Sequence, residues 1–330
     1  MRASCTRSYA RRLATLLAIG VAGAVLVGVA ACAEPNPGSA RRVAADVERP
    51  ALAADALVAL AARADVAALD GDVALLCAPA AAATDAETPA CDAAWVGAAG
   101  ALTPWGRRDL LAAARLDGDR TVSLTRDRDL VLAVPGGEER VLARHVADPR
   151  VAPDRRAVVF TELRGDDISP ATTGRLVVLD LDRGTRRVVT EHPMDSSPFL
   201  RPGTDDVLFV SARTGVASLW LARDGARPRQ LTNVGLRTVD ASFVPVPGRE
   251  LAWLDGRTAV FTATYDGVST LWALDVERGH AAPLGPGRWP QRHAGSIVAV
   301  SPTGSRALDA ATIRAALAGD GASASVRGAP

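Results

Sequence analysis

The sequence predicts an all-β protein, a β-propeller of about four to six blades with its ring complete or short of a blade, preceded by a signal peptide, a tether and a short helix. Three observations predict it: a basic then apolar N-terminus, a recurring strand-turn-strand unit, and a second unit of Pro-led turns interleaved with the first.

The N-terminus opens with Arg2, Arg7, Arg11 and Arg12 and then runs uncharged from Leu13 to Ala31, the order of an export signal. Such a stretch is also long enough to span a bilayer, but Gly20, Gly23 and Gly28 and its small-residue end favour cleavage. The end itself, Val29-Ala30-Ala31-Cys32, resembles the lipobox of bacterial lipoproteins. That resemblance implies lipidation of the Cys32 sulfur, cleavage before it, and membrane lipid as a partner through the acylated cysteine. Each acyl methylene buried contributes ~0.8 kcal/mol of membrane affinity. Residues 33–40, with Pro35, Pro37 and Gly38, read as part of a flexible tether over 32–50. The chain is therefore expected to be exported and held at the cell membrane or the outer membrane, facing the periplasm or the exterior.

Of the four cysteines, Cys5 lies in the segment to be removed and Cys32 at the anchor. Cys77 and Cys91 remain, and an oxidising compartment favours a disulfide between them over two unrelated buried thiols. Their spacing is not that of a metal site, and no His stands nearby.

Residues 51–118 read as a helix followed by divergent strands, a partial blade carrying the disulfide loop. The helix is expected over Ala51 to Ala64, Ala- and Leu-rich and starting just after Pro50. From Val66 onward the apolar runs shorten and become β-branched, with Asp-Gly turns such as Asp70-Gly71 and Asp117-Gly118 between them.

Over 119–312 the repeat is explicit. Leu130–Val134, Leu176–Asp180, Leu219–Leu221 and Leu271–Asp275 are each followed by a charged or Gly-containing turn (Gly137, Gly184, Gly225, Gly279) and a second strand. The glycines recur unevenly, on average every ~47 residues, near the period of propeller blades. Between these hairpins stand Pro-led turns before apolar strands: Pro153-Asp154, Pro202-Gly203 and Pro247-Gly248, with Pro302-Thr303-Gly304 after the last hairpin. Proline fixes φ at the first corner, and Gly or Asp tolerates the second. Trp220, Phe209, Trp253, Trp272, Phe160 and Phe199 fall at strand positions and suit a core between blades. A fifth blade is expected to be split between 66–116 and the C-terminal end, and residues 313–330 to form a small, polar, disordered tail.

The two units resemble the halves of TolB-like, WD-type propeller repeats: S-P-D-G before an apolar strand, and L-W-x-x-D ending in L-T. Ser218-Leu219-Trp220-Leu221-Ala222-Arg223-Asp224-Gly225, closing on Leu231-Thr232, is the fullest copy. The resemblance covers roughly residues 120 to 310. It departs from the pattern where only Pro302 keeps the leading Ser and where Gly203 and Gly248 stand one place early. It implies a non-catalytic scaffold that binds another envelope protein or a peptide through one propeller face.

No enzyme motif competes with that reading. There is no G-x-S-x-G elbow, no C-x-x-C, no phosphate-binding loop, and His145, His192, His280 and His293 lie in separate segments. Asp166-Asp167 and Asp205-Asp206 lack calcium-loop spacing and read as solvated turns. No cofactor or metal is predicted. With Lys and Arg at 38 against 37 Asp and Glu, every basic residue but His being Arg, no electrostatic footprint for nucleic acid exists. A hydrolase or lyase site grafted on loops, or a lectin, stand as alternatives.

One constellation is singled out. Asp148, Asp195 and Asp240 each stand shortly before a Pro turn, where an innermost strand begins, and equivalent positions would ring one mouth of the channel. Arg150, Ser196, Ser197 and Ser242 would line the same mouth. Such a ring concentrates negative field and suits a cation or a basic peptide, while each Asp alone also suits a turn cap.

Overall fold

A computed structural model describes residues 54–319 apart from internal stretches, the longest being 78–90, 165–173 and 233–250. The expected export segment with Val29, Ala30, Ala31 and Cys32, the expected tether, and residues 320–330 lie outside the described residues.

The described chain is built of antiparallel sheets in sequence order. Helix α1 (Ala54–Ala61) leads into β1 (Val66–Asp70), β2 (Val73–Cys77), β3 (Cys91–Val96) and β4 (Leu102–Pro104). Four complete four-stranded blades follow. They are β5 (Leu110–Arg115) to β8 (Arg140–Ala143) with β6 (Thr121–Thr125) and β7 (Leu130–Ala133) between; β9 (Val146–Val151), β10 (Ala157–Leu163), β11 (Gly174–Asp180) and β12 (Arg186–Thr190); β13 (Asp195–Leu200), β14 (Val207–Ser211), β15 (Ser218–Ala222) and β16 (Arg229–Gln230); and β17 (Leu251–Trp253), β18 (Thr258–Tyr265), β19 (Val268–Asp275) and β20 (His280–Pro286). A three-stranded sheet, β21 (Arg288–His293), β22 (Ser296–Ser301) and β23 (Gly304–Leu308), precedes helix α2 (Ala310–Ala318). Strands β1 to β8 form one hydrogen-bonded run, but β3 meets β5 only at Cys91↔Leu110, so the first sheet and the first complete blade are two units.

Alternation explains why these strands stack. On β10, Val158 and Phe160 join a core with Leu111, Val122, Leu124 and Leu130 of the preceding blade. Val159, pointing the other way, packs with Leu200 and Val207 of the following one. A strand buried on both faces stays folded only between two neighbours, which is the energetics of a propeller. The pattern continues around the molecule. Leu176 meets Phe209 and Trp220, Leu208 and Leu219 meet Trp253 and Phe261, and Val260 and Leu271 meet Ile297 and Leu308.

The two smaller sheets close the circle by packing. Leu60 of α1, Ala74 and Val96 bury against Val298 of β22. The expected blade shared between 66–116 and the C-terminal end is thus replaced by two separate sheets joined through side chains. The tail expectation is also corrected: residues 313–318 belong to α2. Asp309 caps that helix by accepting the Thr312 N–H at 2.6 Å, and Ile313 is fully buried beneath it.

The hairpin turns have a local cause. In Asp180…Gly184 and Asp275…Gly279 the Asp Oδ1 accepts two backbone N–H groups, and the Gly adopts φ of 66° and 67° to close the turn. Arginines then latch blade to blade through backbone carbonyls: Arg155 Nη1 to Leu116 O (2.5 Å), Arg187 Nη2 to Asp205 O (2.6 Å), and Arg229 Nη2 to Val276 O (2.8 Å).

A disulfide joins Cys77 to Cys91, directly opposed residues of β2 and β3 with Cα atoms 4.2 Å apart. Both are buried beside Val73, Leu75 and Leu110. Replacing both by Ala is expected to lower unfolding free energy by about 3 kcal/mol, chiefly by freeing the unfolded chain. Urea denaturation of the variant, and of the native chain with and without reductant, checks it.

Acid sensitivity follows from the turn carboxylates. Burial pushes the Asp275 carboxyl up, but the Arg257 guanidinium and the N–H groups of Arg278 and Glu277 outweigh it and hold it below its ordinary value. Burial likewise raises Asp255, and the Arg257 and Thr258 N–H groups with the Arg314 side chain bring it down overall. A carboxyl whose folded pKa is depressed stabilises the fold above its unfolded pKa and loses that contribution as pH falls through the folded value. Stability is therefore expected to stay level around neutrality and fall below about pH 4, with a shallower fall in Asp275→Asn. Urea midpoints measured across that range test the slope.

Candidate functional site

The innermost strands β9 and β13 lie side by side, and each is interrupted by the same device. Asp148 and Ser197 both adopt φ of 47°, and each is followed by a proline, Pro149 or Pro198. The register with the next strand slips at both points, between Val159 and Thr161 and between Ser196 and Phe199. Trp289, at φ 57° before Pro290, repeats it on β21, where register slips between Arg288 and Gln291. A left-handed non-glycine residue costs about 1–2 kcal/mol, so the surrounding sheet must hold these bulges in place.

The bulge turns Asp148 toward the next blade. Its Oδ2 accepts both the backbone N–H and the hydroxyl of Ser197, each at 3.3 Å. Asp148 is buried, and its charge opposes the burial that lowers the pKa of nearby Arg128. Arg150, one residue past Pro149, donates from Nη1 to Pro149 O at 3.1 Å and lies 5.3 Å from the centre of the Phe199 ring.

Asp195 sits at the head of β13, opposite Ser211, with no side-chain exposure. Its Oδ2 accepts from Thr190 Oγ1 at 2.7 Å and pairs with the Arg213 guanidinium. Arg213 is itself positioned by Ser211 Oγ, which accepts its Nε–H at 3.1 Å, and by the Trp220 ring, 4.7 Å from its guanidinium carbon. Oδ1 of Asp195 is buried and has no hydrogen-bond partner. His192 stands on that side: its Nδ1 lies 3.9 Å from Oδ1 and accepts the Met194 N–H at 3.2 Å.

The equivalence expected of Asp148, Asp195 and Asp240 does not hold where it is described. Asp148 directly precedes Pro149, whereas Asp195 stands three places before Pro198, so the position equivalent to Asp148 is Ser197 and the one equivalent to Asp195 is Val146. The physical reason is where each carboxylate falls relative to the shared bulge: Asp148 occupies the left-handed position itself, whereas Asp195 stands two residues before it, at the head of β13. Ser196 pairs with Val210 and is half-buried beside this cluster. Asp240 and Ser242 lie outside the described residues. Sequence reasoning missed Arg213, Thr190 and Arg128. The one signal for Arg213 was an Arg two places after the Ser that ends an apolar strand.

The stacked sheets define the class: the protein is a β-propeller. No protein-family model and no curated protein matches the chain. Among solved structures it is similar to TolB from Acinetobacter baumannii, at 15% identity over 73% of this chain and 65% of that one, TM-score 0.44. It is similar to an oligogalacturonate lyase in complex with manganese, at 17% identity over 64% of each chain, TM-score 0.43. It is also similar to a putative TolB from Agrobacterium tumefaciens, at 17% identity over 72% of this chain and 86% of that one, TM-score 0.43. The chain spans less than two thirds of the first two. Among the described residues no cluster of His, Cys, Asp and Glu suits a metal, and no helix is long and apolar enough to cross a membrane.

Proposed function

We propose that this protein is a non-catalytic cell-envelope scaffold, lipid-anchored through Cys32, that binds a protein or peptide partner at the mouth where β9 and β13 begin. The observation that carries this reading is the unused Oδ1 of Asp195, an ionisable acceptor built into a rigid inner strand beside the half-exposed His192. A buried carboxylate oxygen without a partner is costly, and a donor brought by a ligand, a peptide N–H or a cationic side chain, relieves that cost. On the same two inner strands Asp148 is hydrogen-bonded to Ser197, and polar groups already held in place favour affinity.

The anchor is tested by metabolic labelling with a fatty acid. The native chain is expected to incorporate label and sediment with membranes, and Cys32→Ser to remain unlabelled. For the mouth, chemical cross-linking in whole cells, followed by purification of detergent-solubilised full chain, is expected to trap a discrete partner. Asp148→Asn, Asp195→Asn and Asp240→Asn combined are expected to reduce that yield while the chain stays folded. A yield equal to the native one would remove the mouth from the proposal.

A further inference from the structure

A cavity lined by described residues lies away from that mouth. It occupies about 640 Å³ among the β13–β14 turn (Arg201, Pro202, Thr204), the β17–β18 turn (Asp255 to Thr258), the β19–β20 turn (Asp275, Arg278) and the end of α2 (Arg314, Leu317, Ala318). Inner strand β13 starts at Asp195 and ends at Leu200, so the cavity opens at the opposite end of the blades from the carboxylate cluster.

Its polar wall has an uneven balance. Arg201, only 11% exposed, is committed: it donates to Gly256 O at 2.5 Å and pairs with Asp206 at 3.0 Å and Glu277 at 2.7 Å. Three guanidinium groups remain, Arg257, Arg278 and Arg314, against the carboxylates of Asp255 and Asp275. Both carboxylates are saturated. Asp255 Oδ1 accepts the Arg257 and Thr258 N–H groups and its Oδ2 takes Arg314 at 3.1 Å. Asp275 Oδ1 accepts the Glu277 and Arg278 N–H groups and its Oδ2 takes Arg257 from Nε and Nη2.

The guanidinium groups are not saturated. Each carries five N–H donors; Arg257 spends two of them on Asp275, Arg314 spends one on Asp255, and Arg278 reaches Asp275 only at 3.7 Å. All three are more than half exposed, at 52%, 68% and 63%. The two Asp therefore act as posts that hold positive forks along one cavity wall while leaving their remaining donors unspent.

We propose that this cavity binds a phosphate monoester, its phosphoryl group held by Arg257, Arg278 and Arg314. Three forks suit the three terminal oxygens of a phosphoryl group, and guanidinium binds such oxygens in pairs. A cavity of this size is of the class that holds small organic ligands and is larger than one phosphoryl group needs. Pro202, Leu317 and Ala318 give the organic part of the ester an apolar wall. The ester is either a soluble metabolite or a lipid headgroup at the anchoring membrane, and the chemistry at the arginines is the same.

The test titrates the detergent-solubilised full chain with glycerol phosphate in one arm and with micelles doped with phosphatidic acid, the lipid whose headgroup is a phosphate monoester, in the other. Saturable binding is expected, weakened by added sodium chloride. In Arg278→Gln with Arg314→Gln it is expected to weaken by about tenfold or more, in the first arm for a soluble ester and in the second for a headgroup. Both side chains are largely exposed, so the variant is expected to keep its melting temperature; Arg278→Gln alone, which breaks only the 3.7 Å contact, serves if it does not. Absence of saturable binding in both arms, or equal affinity of native and variant chains, overturns the proposal.

Discussion

Phe209→Ala is expected to lower the unfolding free energy by about 3–5 kcal/mol, a large fraction of the total stability of a domain. Phe209 is fully buried on β14, facing Trp220 across the strand pair and Leu176 of the preceding blade. Truncation removes the ring's transfer free energy and leaves a cavity between two sheets whose backbones are fixed by their own hydrogen bonds. Relaxation into that space is limited, which places the cost toward the upper part of the range. The ring also lies 5.6 Å from the Arg213 guanidinium, so the same change loosens the group that holds Asp195. Val188→Ala, on the outer strand β12 and 43% exposed, is the matched control and is expected to change stability by no more than about 0.5 kcal/mol. Urea denaturation reads both as shifts in midpoint at constant slope. A Phe209→Ala midpoint close to that of Val188→Ala would mean that the blades do not depend on each other's faces.

The difference between what was legible and what was not follows distance along the chain. Phe160 and Phe209 were readable as core because two-residue alternation places them on the buried faces of adjacent blades. The Asp180…Gly184 and Asp275…Gly279 turns were readable because cap and glycine lie within one turn. The bulges at Asp148 and Ser197 were not, since a one-residue slip leaves no mark on composition yet moves every side chain beyond it to the other face. Nor was closure between Leu60 and Val298, whose partners stand near opposite ends of the described chain. The α2 helix was obscured because its Ala-rich turns run into a polar tail, and only Asp309 marks its start.

Asp195→Ala is expected to lower stability by about 3 kcal/mol, the lower part of the range for breaking a buried ion pair. The carboxylate has no exposed side-chain surface, but Arg213 keeps 17% and also rests on Trp220, so the guanidinium left behind is partly compensated by solvent and ring. Thr190 Oγ1 loses its acceptor at the same time. Asp195→Asn keeps an oxygen for Thr190 but loses the charge opposite Arg213, and is expected to cost less. The informative comparison is Asp195→Ala with Arg213→Met, which removes both charges and fills the space with an unbranched apolar chain. Recovery of most of the loss in that double variant would show that the penalty comes from the orphaned arginine. A double variant as unstable as Asp195→Ala would instead place the cost in the head of β13, where Asp195 opposes Ser211 and the Asp195 N–H bonds His192 O at 3.1 Å. The two outcomes also separate the roles of this carboxylate. If the pair with Arg213 is stabilising, Oδ2 is structural, and Oδ1 is the oxygen of this carboxylate left without a hydrogen bond.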